Sequence, residues 1–127
     1  LKEAVGSHAP GLRAYEVPTF DASRECAYTG QPYFLDEYGG VKWVIEQYSD
    51  ITWGYGKGPE SLEEVYSRVE ALTDVILSLD YISGFCYTQL TDVEQEQNGV
   101  YTYDRREKFD PARLRAIFGR KPGWAEE

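Results

Sequence analysis

The sequence is short of the residues that mark several common kinds of functional site. Its 127 residues include one histidine and two cysteines. His8 has no Cys or His neighbour at zinc-ligand spacing, and nothing around it supports a Ser-His-Asp triad. The sequence contains neither GxxxxGK[ST] nor GxGxxG. These absences argue against a zinc site, a serine hydrolase and a nucleotide-binding loop.

Clustered basic residues and long apolar runs are also lacking. Acidic residues outnumber basic ones by 22 to 13, giving a net charge of -9. Phosphate backbones are bound by clustered Lys and Arg, so no nucleic-acid partner is expected. No apolar stretch approaches the 18 or so residues of a membrane span, so no membrane partner is expected either. A soluble protein is predicted, whether cytoplasmic or secreted.

Aromatic residues, in contrast, are plentiful: 11 Tyr, 3 Trp and 5 Phe. Such rings fill hydrophobic cores, and they also stack on sugars, because each combines an apolar face with a polar tip. The length suits one ordinary domain. Cys86 lies in the apolar run from Ile82 to Tyr87 and is interpreted as a buried free thiol.

Hydrophobic patterning predicts the first half of the fold. Tyr33 to Glu37 is expected to be a strand, apolar on both faces as in a parallel sheet. A long loop over 39–60 follows, with a short helical piece over 41–47. Ser61 and Glu64 form a capping box that starts a helix. Apolar residues then recur every three or four positions, at Leu62, Val65, Tyr66, Val69, Leu72, Val75, Ile76 and Leu79.

The second half repeats the order of strand, loop and helix. Residues Tyr81 to Tyr87 predict a second strand, parallel to the first through a right-handed βαβ crossover. A polar loop follows, and Asp110-Pro111 begins a last helix that Gly119 ends. Both loops come after the carboxyl ends of strands, where α/β folds build their sites.

Two groups of carboxylates occupy these loops. Asp36 and Glu37 end the first strand, and alternation predicts that they point to opposite faces. Glu37 suits either sugar chemistry or the capping of a loop through the N–H groups of the following glycines. Asp92, Glu94 and Glu96 would share one side of an extended segment, either as a solvated acidic loop or as ligands for Ca²⁺ or Mg²⁺.

Three stretches together resemble part of a known enzyme family. They are PYFLDEYGGVKW, WGYGKGPESLEEVYSRVEALTDVIL and ISGFCYTQLTDVEQEQNGVYTYDRREKFDP, within residues 31–118. They resemble the last part of the catalytic barrel of glycoside hydrolase family 2, which includes β-galactosidases and β-glucuronidases. The resemblance implies an α/β fold, namely a partial (β/α)8 TIM barrel made of the last two βα units, strands 7 and 8 with their helices.

The resemblance also implies roles for single residues. Glu37 matches the nucleophile of these retaining exo-glycosidases. Tyr87 matches an aromatic residue of the sugar-binding floor, with a cis peptide expected between Tyr87 and Thr88. Trp53, Trp43 and Gln89 complete the expected substrate-binding set. The substrate is expected to be a β-galactoside-like sugar, with no cofactor in this chain and any divalent cation belonging to the longer enzyme.

One catalytic group is missing from the sequence. The family's acid/base Glu follows an Asn, and no Asn-Glu dipeptide occurs in the 127 residues. Residues 1-127 are therefore expected to be a C-terminal fragment of the glycosidase that is inactive alone. The fragment is expected to hide its open strand edges by self-association or rearrangement, or to be only loosely folded, and the sequence also allows a homo-oligomer of the longer enzyme. The alternatives are a non-catalytic carbohydrate-binding module and an interaction domain without a small-molecule site.

Overall fold

The computed structural model describes residues 29–45 and 58–125 of the chain. Its regular elements are β1 (Tyr33–Gly39), α1 (Leu62–Leu77), β2 (Ile82–Thr88), α2 (Pro111–Phe118) and a short 3-10 helix (Gly123–Ala125). Both strands and both α-helices begin within one residue of their predicted starts. The helical piece expected over 41–47 does not form in its described part, 41–45, and its last two residues lie outside the described ranges, as do residues 1–28.

The two strands pair directly and run parallel, as predicted from the βαβ pattern. The pairing begins at Tyr33 opposite Ile82 and ends at Gly39 opposite Thr88. It is interrupted twice, between Tyr33 and Phe34 and again between Leu35 and Tyr38. The carboxyl ends of both strands therefore reach the same edge of the sheet, and the segments that follow them start side by side.

Helix α1 covers one face of this sheet. The hydroxyl of Ser61 accepts a hydrogen bond from the Glu64 N–H at 3.2 Å, which confirms the predicted cap. The Glu64 carboxylate reaches back to the N–H of Glu60 at 2.7 Å, one residue before the cap. The buried side of α1 consists of Val65, Tyr66, Val69, Thr73 and Ile76. Burying one such Val or Ile fully contributes about 1.5–3 kcal/mol.

The core has two buried centres. One gathers Val41, Val65, Tyr66, Val69, Phe109 and Ile117, and the other gathers Tyr38, Ile76 and Ile82. Leu72, Tyr87 and Phe118 touch both of them. In the second centre the Tyr38 hydroxyl meets the Thr73 hydroxyl at 3.0 Å, and that hydroxyl donates to the Val69 carbonyl at 2.8 Å. These two linked hydrogen bonds satisfy the buried hydroxyl groups of Tyr38 and Thr73, which would destabilise the core if they had no partner.

The prediction of a partial (β/α)8 TIM barrel made of two βα units is wrong. The described residues form a two-stranded sheet with two α-helices, and α2 packs chiefly against α1 rather than against the strands. A barrel wall is defined by strand tilt and a regular stagger between neighbours. Two strands of seven residues with two interruptions in their pairing define neither. The periodicity of the sequence predicted the two strands and the two helices, but not that the strands would form a small sheet rather than part of a barrel.

The interpretation of Cys86 as a buried thiol is also wrong, since the residue is a free cysteine exposed on β2. Its neighbours Phe85 and Tyr87 pack toward the second core centre, so alternation turns Cys86 to the other face. On that face Phe34 is 56% exposed and lies over Gly84. In the described part of the chain, no helix is both long and apolar enough to cross a membrane.

Candidate active site

An extra residue in β1 decides how the carboxylates of Asp36 and Glu37 are presented. Leu35 pairs with Phe85, and the next pair joins Tyr38 to Tyr87, so β1 uses one more residue than β2 over this stretch. Such a bulge breaks the alternation of side chains and commonly re-aims one beside an active site. Asp36 and Glu37 are consequently both exposed, while Tyr38 is buried. Neither carboxylate is buried against the core.

The segments after the two strands are tied together at the carboxyl edge. The Gly40 N–H donates to the Thr88 carbonyl at 2.9 Å, and the Trp43 N–H donates to the Gln97 carbonyl at 3.0 Å. The Trp43 side chain is half-buried and packs against the first core centre. Because its backbone is bonded to the loop after β2, Trp43 occupies a defined position near the end of the strand that carries Glu37.

Tyr87 is part of the packed side of the sheet. Its ring meets Tyr38 edge-on at 5.5 Å between centroids and lies at 5.3 Å from Phe118. Burial raises the pKa of the Tyr87 hydroxyl to about 12, an effect partly offset by a hydrogen bond to the backbone of Val41. The structure thus places Tyr87 in packed surroundings and Glu37 in exposed ones. The role of Tyr87 in a sugar-binding floor remains a prediction.

The same ring explains why glycine occupies position 39. Gly39 has φ +94°, a conformation that side chains rarely adopt. A Cβ atom built there would come within 2.3 Å of Cε2 of Tyr87. The Gly39-Gly40 pair lets β1 turn away directly above the Tyr87 ring, which fixes the short path from Glu37 to Trp43.

Gln89 joins β2 to the loop that follows. Its carbonyl accepts the Val100 N–H at 3.0 Å, and its side-chain amide donates to the Glu96 carbonyl at 3.5 Å. The peptide bond between Thr88 and Gln89 is cis. The expected position of that bond was one residue earlier, between Tyr87 and Thr88. Trp53, the remaining member of the predicted substrate-binding set, lies outside the described residues.

The loop over 89–109 is held by a buried ion pair that sequence reasoning missed. The Lys108 ammonium donates to Oδ1 of Asp92 at 2.7 Å and to the Gln97 carbonyl at 3.2 Å. The two side chains are 0% and 2% exposed, respectively. Oδ1 of Asp92 also accepts the Gly99 N–H at 2.9 Å. Burial lowers the pKa of Lys108, and the hydrogen bond and charge of Asp92 oppose that shift.

Asp92 therefore does not act with Glu94 and Glu96 as an acidic edge. The chain turns back between them, with reciprocal backbone hydrogen bonds joining Val93 and Glu96 at 3.0 and 2.9 Å. Glu94 has φ 51° within this turn and is exposed, whereas Asp92 is buried. Within 29–45 and 58–125 no three His, Cys, Asp or Glu residues lie close enough together to hold a metal ion.

The chain was compared with known protein families and with curated proteins. No family model matches it. A search of the curated proteins finds no significant match.

Proposed function

We propose that this chain is the C-terminal part of a longer retaining exo-glycosidase, in which Glu37 is the nucleophile. The observation that carries the proposal is the bulge in β1, which leaves Glu37 exposed at the carboxyl end of a parallel strand. Ligands of α/β sheets bind outside this end of the strands. The three motifs that resemble glycoside hydrolase family 2 give Glu37 its chemical role, and β-galactoside-like sugars are the proposed substrates.

In this proposal Glu37 does one half of the chemistry. A carboxylate oxygen of Glu37 bonds to the anomeric carbon while the bond from that carbon to the leaving group breaks. A second carboxyl group, about 5–5.5 Å away, donates a proton to the departing oxygen and later takes one from water. The Asn-Glu pair that would supply it is absent from residues 1–127. We therefore expect these residues alone to show no turnover of aryl β-galactosides.

Trapping the covalent intermediate tests the role of Glu37. The longer protein is incubated with a 2-deoxy-2-fluoro-β-galactosyl fluoride, digested, and its peptides are mapped by mass spectrometry. We expect the label on Glu37, no label in Glu37→Gln, and normal labelling in Asp36→Asn. The Asp36 variant is a matched control, because it removes the same charge from the adjacent exposed position of the same bulge.

Labelling of any other residue would refute the assignment, as would a labelled Glu37→Gln variant. Reversible binding of galactosides without any label would instead favour the carbohydrate-binding module. A protein whose thermal stability responds to no sugar would favour an interaction domain.

A further inference from the structure

A cavity in the loop after β2 has the chemistry of a small binding site of its own. It has a volume of about 450 Å³ and is lined by Leu90, Thr91, Tyr101 and Arg105. Sites for small molecules usually have volumes of about 300–1,000 Å³ and combine apolar walls with a few polar groups. Here Leu90 and the Tyr101 ring supply apolar surface, Thr91 supplies a hydroxyl, and Arg105 supplies a cation.

The walls of this cavity are held by backbone hydrogen bonds. The Tyr101 N–H donates to the Leu90 carbonyl at 3.0 Å, and the Asp92 N–H donates to the Tyr101 carbonyl at 2.9 Å. The buried pair of Asp92 and Lys108 also holds the residue that follows Thr91 in place. The Leu90 side chain is nevertheless 69% exposed. An apolar wall that is both fixed and exposed is available to a ligand without rearrangement of the loop.

The backbone around Arg105 is fixed as well. Arg105 has φ 66°, in the left-handed region, and its N–H donates to the Thr102 carbonyl at 2.9 Å. The Thr102 hydroxyl, which is fully buried, accepts the Arg106 N–H at 2.9 Å. A long side chain in this conformation is uncommon and needs support from its surroundings. The turn therefore holds the backbone of Arg105 in one position, from which the side chain extends.

Neighbouring charges leave the Arg105 guanidinium available to an anion. The nearest carboxylate in sequence, Asp104, is bound by Nε of Arg106 at 2.8 Å, which together with the Thr102 hydroxyl holds the pKa of Asp104 below its usual value. Within the described part of the chain, Arg105 forms no ion pair with a carboxylate. Most other described cations do, including Arg68, Arg106, Lys108, Arg113 and Arg120.

We propose that this cavity binds a small aromatic carboxylate, with its ring against Tyr101 and Leu90 and its carboxylate on Arg105. A planar guanidinium presents parallel N–H donors that match the two oxygens of a carboxylate. An aromatic ring gains most from an aromatic wall beside an aliphatic one. A neutral sugar would provide no negative charge to pair with the Arg105 guanidinium. The site does not depend on Glu37 and is separate from the proposed glycosidase chemistry.

Three probes separate the parts of this proposal on the full chain. Benzoate carries both ring and charge, benzamide keeps the ring without the charge, and acetate keeps the charge without the ring. Each is titrated while the NMR signals of the Tyr101 ring and the Arg105 Nε–H group are followed. We expect benzoate to shift both signals and to bind at least about tenfold more tightly than either other probe, as one charge-assisted pair provides.

Substitutions then locate the charge that matters. Arg105→Gln should weaken benzoate binding by about tenfold to a hundredfold, and Arg105→Lys should lie between it and the native protein. Arg113→Gln is the control and should leave benzoate binding unchanged, because that cation pairs with Glu63 and does not line the cavity. Glu37→Gln should bind benzoate normally, so loss of the glycosidase proposal would leave this one standing.

The proposal is overturned if benzoate shifts neither signal or if benzamide binds as tightly as benzoate. The comparison of probes needs only the native protein, so it decides the question even if a variant fails to fold. Equal losses in the Arg105 and Arg113 variants would also overturn it, since they would indicate general electrostatic attraction rather than a site.

Discussion

Replacing Lys108 by Met measures how much the loop after β2 depends on its buried ion pair. The substitution removes the donor of two hydrogen bonds, to Asp92 and to the Gln97 carbonyl, at a position that is 0% exposed. Oδ1 of Asp92 keeps the Gly99 N–H at 2.9 Å, but the carboxylate stays 2% exposed without its cation.

The magnitude follows from that geometry. Removing one member of a buried pair leaves an uncompensated charge, which costs about 3–5 kcal/mol. Typical domains have a free energy of unfolding of about 5–15 kcal/mol, so Lys108→Met should remove a large part of the stability. The double variant Asp92→Asn with Lys108→Met removes both charges and should recover much of the loss.

Urea unfolding followed by tryptophan fluorescence gives the free energies. Arg106→Met is the control, since it removes one cation from the same loop in a pair whose side chains are 49% and 54% exposed. An exposed pair of this kind contributes about 0–1 kcal/mol. A Lys108→Met variant that loses no more stability than the control would refute the reasoning, and so would a double variant less stable than Lys108→Met.

Two further predictions concern the ring of Tyr87. Gly39→Ala should lower the free energy of unfolding, measured in urea, by about 2–5 kcal/mol, because the new methyl group overlaps the Tyr87 ring at a strained φ. The control Gly30→Ala has φ +98° but no atom within 4 Å of the new methyl group, and it should lose about 1–2 kcal/mol. Equal losses in the two variants would show that the overlap with Tyr87 does not matter. Tyr87→Phe should flatten the fall in stability between pH 10 and 12. The folded pKa of Tyr87 is raised to about 12, so its stabilisation is complete below the unfolded value of about 10. It is lost as the pH rises through 12, about 3 kcal/mol in all. Parallel native and Tyr87→Phe stability curves over that range would contradict the assignment.

Local signals in the sequence were enough to predict the regular elements. The Ser61 cap, the spacing of apolar residues in α1, and the Asp110-Pro111 start of α2 each act over a few residues, and each is found in the structure. The parallel pairing of β1 and β2 followed from the helix between them. The nucleophile role of Glu37 was predicted from its position at a strand end and from the resemblance to glycoside hydrolase family 2, and it stays a prediction.

The features that the sequence did not predict depend on contacts between residues far apart in the chain. The Asp92–Lys108 pair joins positions 16 residues apart, with no spacing rule to reveal it. The exposure of both Asp36 and Glu37 required knowing that β1 carries one residue more than β2 at that point, and alternation alone cannot show this. The barrel prediction assigned the two strands to part of a barrel wall, although strand tilt and stagger are properties of the whole assembly.

The two interruptions in the strand pairing have a joint consequence. The first adds a residue to β2 and the second adds one to β1, so the offset between paired positions is the same at Gly39 and Thr88 as it was at Tyr33 and Ile82. The two shifts in register cancel, so the last pair of residues is in the same register as the first. A sequence that lost the extra residue of β1 alone would end half a repeat out of step, with Tyr38 turned outward and its place in the interior vacant. Lengthening or shortening of one strand is therefore tolerable only when the other strand changes with it.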